Sequence, residues 1–233
     1  MRSQSENRGL PAVGLALCLF CLGLAPLCAQ EAGELPFRGE FWAEFHAVPA
    51  HGEENWPPDS ATVKGRLLSE AAYVFGGMSG GFDFEWVPPD SARGIAERFV
   101  LKPRLVLDAR DPRILPEAPR YSGTDLFAYV SYMPDENEKL DIAAYRLDPW
   151  RSANGVGLAD FINGYPGRRM AYEDAARDAV RSLLQSLSVN KPRRVRGRIV
   201  FSAIPRIVLS NSFYRVYLKA RIQISEVQNY ELY

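Results

Sequence analysis

An α+β fold of antiparallel sheets and packed amphipathic helices follows from three features of this 233-residue chain. Val195 to Ala203 and Tyr214 to Ile224 alternate apolar and polar residues, the period of half-buried strands. Immediately before them, Tyr172, Ala175, Ala176, Ala179, Val180, Leu183, Leu184 and Leu187 repeat at helical spacing. Shorter alternating stretches lie far forward, at Phe37–Phe45 and Phe82–Trp86, with a helical pattern between them.

Phe37, Gly39, Phe41, Ala43 and Phe45 form one face of a first strand, opposite Arg38, Glu40, Trp42 and Glu44. Asp59 or Ser60 can cap a helix that buries Val63, Leu67, Leu68, Ala71, Val74 and Phe75, ended by the glycines from Gly76 to Gly81. Phe82, Phe84 and Trp86 give a second strand. Asp90-Ser91 can cap a short helix to about residue 98, and 99–107 reads as extended, with Pro103 fitting only an edge. Residues 108–123, rich in Pro, Arg and Asp, read as loop, and 126–133 as strand. Asp135 with Glu138 has the form of a capping box before Leu140, Ala143, Ala144 and Leu147, which favours a helix over a hairpin return strand at 141–147. Residues 151–167 carry Gly155, Gly157, Gly164 and Gly167 and read as a loop and linker. In the strong helix that follows, Glu173 and Asp174 are expected in the first turn, where the helix dipole favours acids, and Asn190 and Pro192 close it. A β-meander of three strands completes the chain, with Ser210-Asn211-Ser212 as a turn.

The chain start reads as a secretory signal. Arg2 and Arg8 precede an apolar run from Val13 to Leu27 and a polar exit at Gln30 and Glu31. That run falls short of the roughly 20 apolar residues a membrane span needs. Processing after Ala29 is expected. Cys28 sits where a lipid-modified cysteine would, but Leu27 before it is larger than bacterial lipoprotein signals prefer. All three cysteines, Cys18, Cys21 and Cys28, fall in this segment, so the mature chain has no disulfide framework and no thiolate metal site. No asparagine beyond residue 30 heads an Asn-x-Ser/Thr acceptor. Together these predict the periplasm or outer envelope of a bacterium.

The overall neutrality hides two halves. Residues 30–150 carry 12 Lys and Arg against 21 Asp and Glu, and residues 151–233 carry 14 against 6. The expected organisation is a signal peptide (1–29), an acidic α+β part (30–150), a glycine-rich linker (151–167) and a basic helix-plus-sheet part (168–233). Either the halves neutralise each other or one meets a charged partner.

Catalytic signatures are thin. Gly77-Met78-Ser79-Gly80-Gly81 spells the nucleophile-elbow pattern, which would make Ser79 a hydrolase nucleophile. However, a helix precedes it and a strand follows, the reverse of an elbow, and both histidines come before it. His46, His51, Glu44, Glu53 and Glu54 are the one set with metal-ligand chemistry, at spacings that match no zinc motif. Acid pairs at Asp83/Glu85 and Glu136/Glu138/Asp141 lie along single elements rather than across a cleft. No enzyme activity, metal or cofactor is expected.

The basic strand face is the candidate site. Arg194, Arg196 and Arg198 share one face of a strand, and Arg215, Lys219 and Arg221, with Tyr217 among them, share another. Arginines so placed grip phosphate or sulfate with two parallel hydrogen bonds. Export excludes nucleic acid, leaving an envelope protein, an anionic lipid or lipopolysaccharide, with peripheral membrane association. The helix-then-sheet order resembles small exported domains of bacterial envelope and flagellar-assembly proteins, without a diagnostic motif. The resemblance assigns no residue. The expected role is structural or assembly work in a bacterial cell envelope through protein contacts, with binding of an anionic envelope component through the basic face as the alternative.

Overall fold

Two antiparallel sheets share one core with the helices, as the alternating stretches require. The computed structural model describes residues 37–45, 57–187 and 191–230. These belong to one compact unit, Pro36–Tyr233. The export segment and His46, His51, Glu53 and Glu54 lie outside the described residues. In chain order the elements are β1 (Phe37–Glu44), α1 (Ser60–Ser79), β2 (Phe82–Val87), β3 (Arg98–Pro103), β4 (Ile114–Ser122), β5 (Asp125–Tyr132) and α2 (Glu136–Ala144). There follow β6 (Arg151–Asp160), α3 (Gly164–Leu187), β7 (Arg194–Phe201), β8 (Arg206–Ser210) and β9 (Phe213–Gln228).

The smaller sheet has the order β1-β5-β4 and the larger β3-β2-β7-β9-β6. β8 pairs the first residues of β9, joined to it through Asn211 and Ser212, both at positive φ as a tight hairpin turn requires. The larger sheet therefore takes β2 and β3 from the acidic half and β6 to β9 from the basic half. α1 lies against both sheets. Its Phe75 ring packs on Phe41 and Tyr132, and Tyr73 packs on Phe82 and Phe201.

Several boundaries differ from the sequence reading. The capping box forms: Asp135 accepts from the Glu138 N–H while Glu138 accepts from the Asp135 N–H, so residues 136–144 are helix. α1 continues through Gly76 and Gly77 to Ser79. The chain turns only at Gly81, whose φ is +68° and where a Cβ would lie 2.3 Å from Val200. The helix expected after Asp90 is a single 3-10 turn, Ser91–Arg93. The loop reading of 108–123 is corrected by β4. It is an edge strand, and its ladder shifts register between Glu117 and Arg120, where Ala118 and Pro119 sit. Prolines are tolerated at such edges and bulges.

The linker expected over 151–167 is corrected by β6 and the start of α3. Its glycines serve close packing rather than flexibility. A Cβ on Gly155 would lie 2.1 Å from the Ala175 carbonyl oxygen, and one on Gly157 2.1 Å from that of Ala171. The alanine stripe of α3 thus rests directly on strand backbone. Because α3 begins at Gly164, Glu173 and Asp174 are not in its first turn. Asp174 instead accepts the Leu158 N–H, and Asp178 the Val156 N–H, both at 2.9 Å. These carboxylates cap the free edge of β6, which would otherwise offer unpaired donors to another chain.

Candidate functional site

β7 buries Val195, Gly197 and Ile199 and turns Arg194, Arg196 and Arg198 to the outer face of the larger sheet, as alternation predicts. Antiparallel register then sets Arg198 opposite Asp83 and Arg196 opposite Glu85. Arg196 donates to Glu85 at 2.8 Å and to Glu226 at 3.4 Å, Arg194 lies 3.6 Å from Glu226, and Arg198 lies 3.7 Å from Asp83. Arg98 and Arg104 join the same two acids from the β3 side. The hydrogen bond from Arg196 holds the Glu85 carboxyl below the usual carboxylate range, and the same bond raises the Arg196 pKa. These three candidate arginines already have carboxylate partners within the chain.

The next outward residue of β7, Val200, is covered by Tyr145 and Trp150 from the segment after α2, and the three form a small separate cluster. That segment divides the outer face in two.

Beyond it, β9 turns Arg215 and Tyr217 outward between β6 and β8, and Lys219 and Arg221 outward between β6 and the end of β7. Arg215 stands between Val208 and Leu158, Tyr217 between Arg206 and Val156, and Lys219 opposite Asn154. Among the described residues, Arg206, Arg215 and Lys219 have no carboxylate partner, and the Arg221 guanidinium donates only to the Arg146 carbonyl, at 3.4 Å. Large apolar groups stand exposed among these cations: Val156 (45%), Leu158 (44%), Tyr217 (41%) and Phe213 (40%). A shallow groove of ≈ 460 Å³ runs between Val156, Ile204, Arg206, Tyr217 and Lys219. Arg206 is absent from the sequence-derived set because it opens a five-residue strand after Pro205, where no alternation is long enough to read. Only the register of β8 on β9 brings it beside Tyr217.

A second constellation is buried and was also not legible. Arg168, 1% exposed, reaches across from α3 to α1 and β1. It donates to Glu70 through Nε (2.6 Å) and one terminal nitrogen (3.1 Å), to Glu44 (3.1 Å) and to the Trp42 carbonyl (2.9 Å). Tyr172 adds a hydrogen bond to Glu70 at 2.8 Å, and the Trp42 ring lies under the guanidinium. Burial opposes the Arg168 charge, but the two carboxylates outweigh it and its pKa is raised. The cluster is buried and joins three elements, so its role is structural.

Glu44 is thus committed to Arg168, and no group of described residues could hold a metal ion. Ser79 is the last residue of α1 and 0% exposed, and its hydroxyl has no hydrogen-bond partner. An elbow serine must be open to substrate and lie between strand and helix, and Ser79 meets neither condition. Asp83 and Glu85 belong to the arginine ladder. Glu138 is buried against Tyr132 and Arg113. No described helix is long and apolar enough to cross a membrane.

Comparison with known proteins gives kinship without an activity. The chain is similar to an uncharacterized protein of Treponema pallidum (strain Nichols), 24% identical over 167 residues, which are 72% of this chain and 70% of the relative. No solved structure matches the chain. A protein-family model matches residues 24–230, and the chain belongs to that family.

Proposed function

We propose that the chain is an exported, non-catalytic protein of a bacterial cell envelope that docks on an anionic membrane surface through the outer face of β8, β9 and β6. The observation that carries this reading is the division of the basic face. Arg194, Arg196 and Arg198 are neutralised internally, whereas Arg206, Arg215 and Lys219 stand without carboxylates among exposed apolar groups. Each cation near an anionic lipid surface contributes about 1 kcal/mol. Tyr217 and Phe213 are of the amphipathic and aromatic types that settle at the headgroup level. The start of the chain supports export, and the bacterial relative agrees with a bacterial source.

Cell fractionation and N-terminal sequencing test export, with Gln30 as the expected first residue. Docking is tested by co-sedimentation with vesicles rich in phosphatidylglycerol. Binding is expected at low salt and should fall steeply at high salt, because the Debye length shrinks to about 3 Å at 1 M. Binding only to envelope membranes of its host, resistant to salt and lost after protease treatment, would replace the lipid surface with a protein partner.

A further inference from the structure

On the other side of Ser202, where the segment after α2 crosses the sheet, lies a cavity of ≈ 380 Å³. Its polar lining is Arg146, Arg221, Ser152 and Ser202, together with Tyr145; Phe37, Met78 and Ile142 are among its apolar walls. Among the described residues no carboxylate lines it, and neither arginine has a carboxylate partner. Two arginines on one cavity without a carboxylate beside them leave positive charge that an anion would neutralise. Arg221 spends one of its five N–H donors on the Arg146 carbonyl, a bond that holds it against the mouth of the cavity. The Tyr145 hydroxyl is already engaged with the Gly80 carbonyl at 3.3 Å, whereas the two serine hydroxyls are unengaged among the described residues.

We propose that this cavity binds a phosphate group carried on an apolar body. A carboxylate offers two acceptor oxygens. A phosphate offers three or more, enough for donors from two arginines and two serines, and guanidinium matches its geometry with paired hydrogen bonds. The cavity volume lies in the range of small-molecule sites, and its apolar wall gives the rest of such a ligand somewhere to rest. Ser152 and Arg221 are cross-strand neighbours on β6 and β9, so two of the donors sit on paired strands rather than loops. The site uses neither Arg206, Arg215 nor Lys219, and so can stand or fall apart from the docking face.

The test is calorimetric titration of the purified protein with inorganic phosphate, with dihexanoyl phosphatidic acid below its micelle concentration, and with dihexanoyl phosphatidylcholine. One saturable site for dihexanoyl phosphatidic acid is expected, with phosphatidylcholine weaker. Tighter binding of the lipid than of inorganic phosphate shows that the apolar wall takes part, and equal binding overturns the apolar part of the proposal. Arg146→Met and Arg221→Met should each weaken binding about tenfold or more, as loss of a charged hydrogen-bond donor does. Ser202→Asp, which sets a carboxylate in the cavity, should abolish it, while Arg206→Gln with Lys219→Gln leaves it unchanged. Absence of saturable binding to either phosphate probe, or binding indifferent to both methionine variants with unchanged circular dichroism, overturns the proposal.

Discussion

Arg168 shows how much a single side chain can organise without leaving a mark in the sequence. It stands in an Arg168-Arg169 pair just before the strong apolar spacing that starts at Tyr172, yet among the described residues it is the largest fully buried side chain. Its neighbour Arg169 is solvent-exposed and lies over the Tyr73 ring. Nothing in residue type or spacing separates the two, because burial is decided by Glu70, a hundred residues earlier, and by Glu44 on β1. Removing the guanidinium would leave two buried carboxylates unpaired. Arg168→Met is therefore expected to destabilise the protein by about 3–5 kcal/mol in urea unfolding, while Arg169→Met should change stability by less than about 1 kcal/mol.

The tyrosines give a second prediction at this scale. Burial pushes the Tyr165 phenol up to about 12 and those of Tyr73, Tyr132, Tyr172 and Tyr214 further up. A raised folded pKa gives stability that is complete below the unfolded value of about 10 and lost as pH rises through the folded one. Ultraviolet titration should show only the more exposed tyrosines ionising near pH 10. The five named tyrosines, buried or half-buried, should respond together with alkaline unfolding. A single smooth transition of all tyrosines near pH 10 would contradict this burial.

At the scale of elements, long periodic segments were legible and punctuated ones were not. α3, β7, β9 and β2 follow directly from apolar spacing, and the Asp135–Glu138 capping box placed α2. β4 and β6 were hidden by proline and glycine, which ordinarily mark loops. In β4 the prolines sit on an unpaired edge, Pro119 at a bulge. In β6 the glycines give up side chains so that the alanines of α3 can touch the backbone. Gly157→Val should accordingly cost at least the roughly 1–3 kcal/mol typical of overpacking. The same substitution at Gly65, where a Cβ would meet nothing, should cost far less. Asp174→Ala with Asp178→Ala uncovers the edge of β6. It should lower the urea midpoint and raise self-association in light scattering, because the Val156 and Leu158 N–H groups lose their acceptors.

For the whole molecule, the charge asymmetry of the sequence was visible but its resolution was not. Alternation placed six basic side chains on strand faces. The pairing of β7 with β2, from the other half of the chain, and with Glu226 at the end of β9 decided which of them would be neutralised. That pairing also sets an acid limit on stability. Hydrogen bonds from Arg196 hold down Glu85, those from Arg113 hold down Asp111, and that from Ser131 holds down Glu117. Groups whose folded pKa is depressed contribute stability that is present above the unfolded carboxylate range and disappears as pH falls through the folded values. The melting temperature should be steady from pH 7 to about 5 and decline below about pH 4. A melting temperature that rises on acidification would contradict the ladder.

The most direct test compares two charge-matched double variants in the same vesicle co-sedimentation assay: Arg206→Gln with Lys219→Gln, and Arg196→Gln with Arg198→Gln. Both lower the net charge equally, so nonspecific attraction changes alike. The account predicts that the first pair loses binding to anionic vesicles while remaining folded, and that the second keeps binding with a lower melting temperature. Retained binding in the first pair, or loss in the second alone, would place the docking surface elsewhere and contradict the division of the basic face.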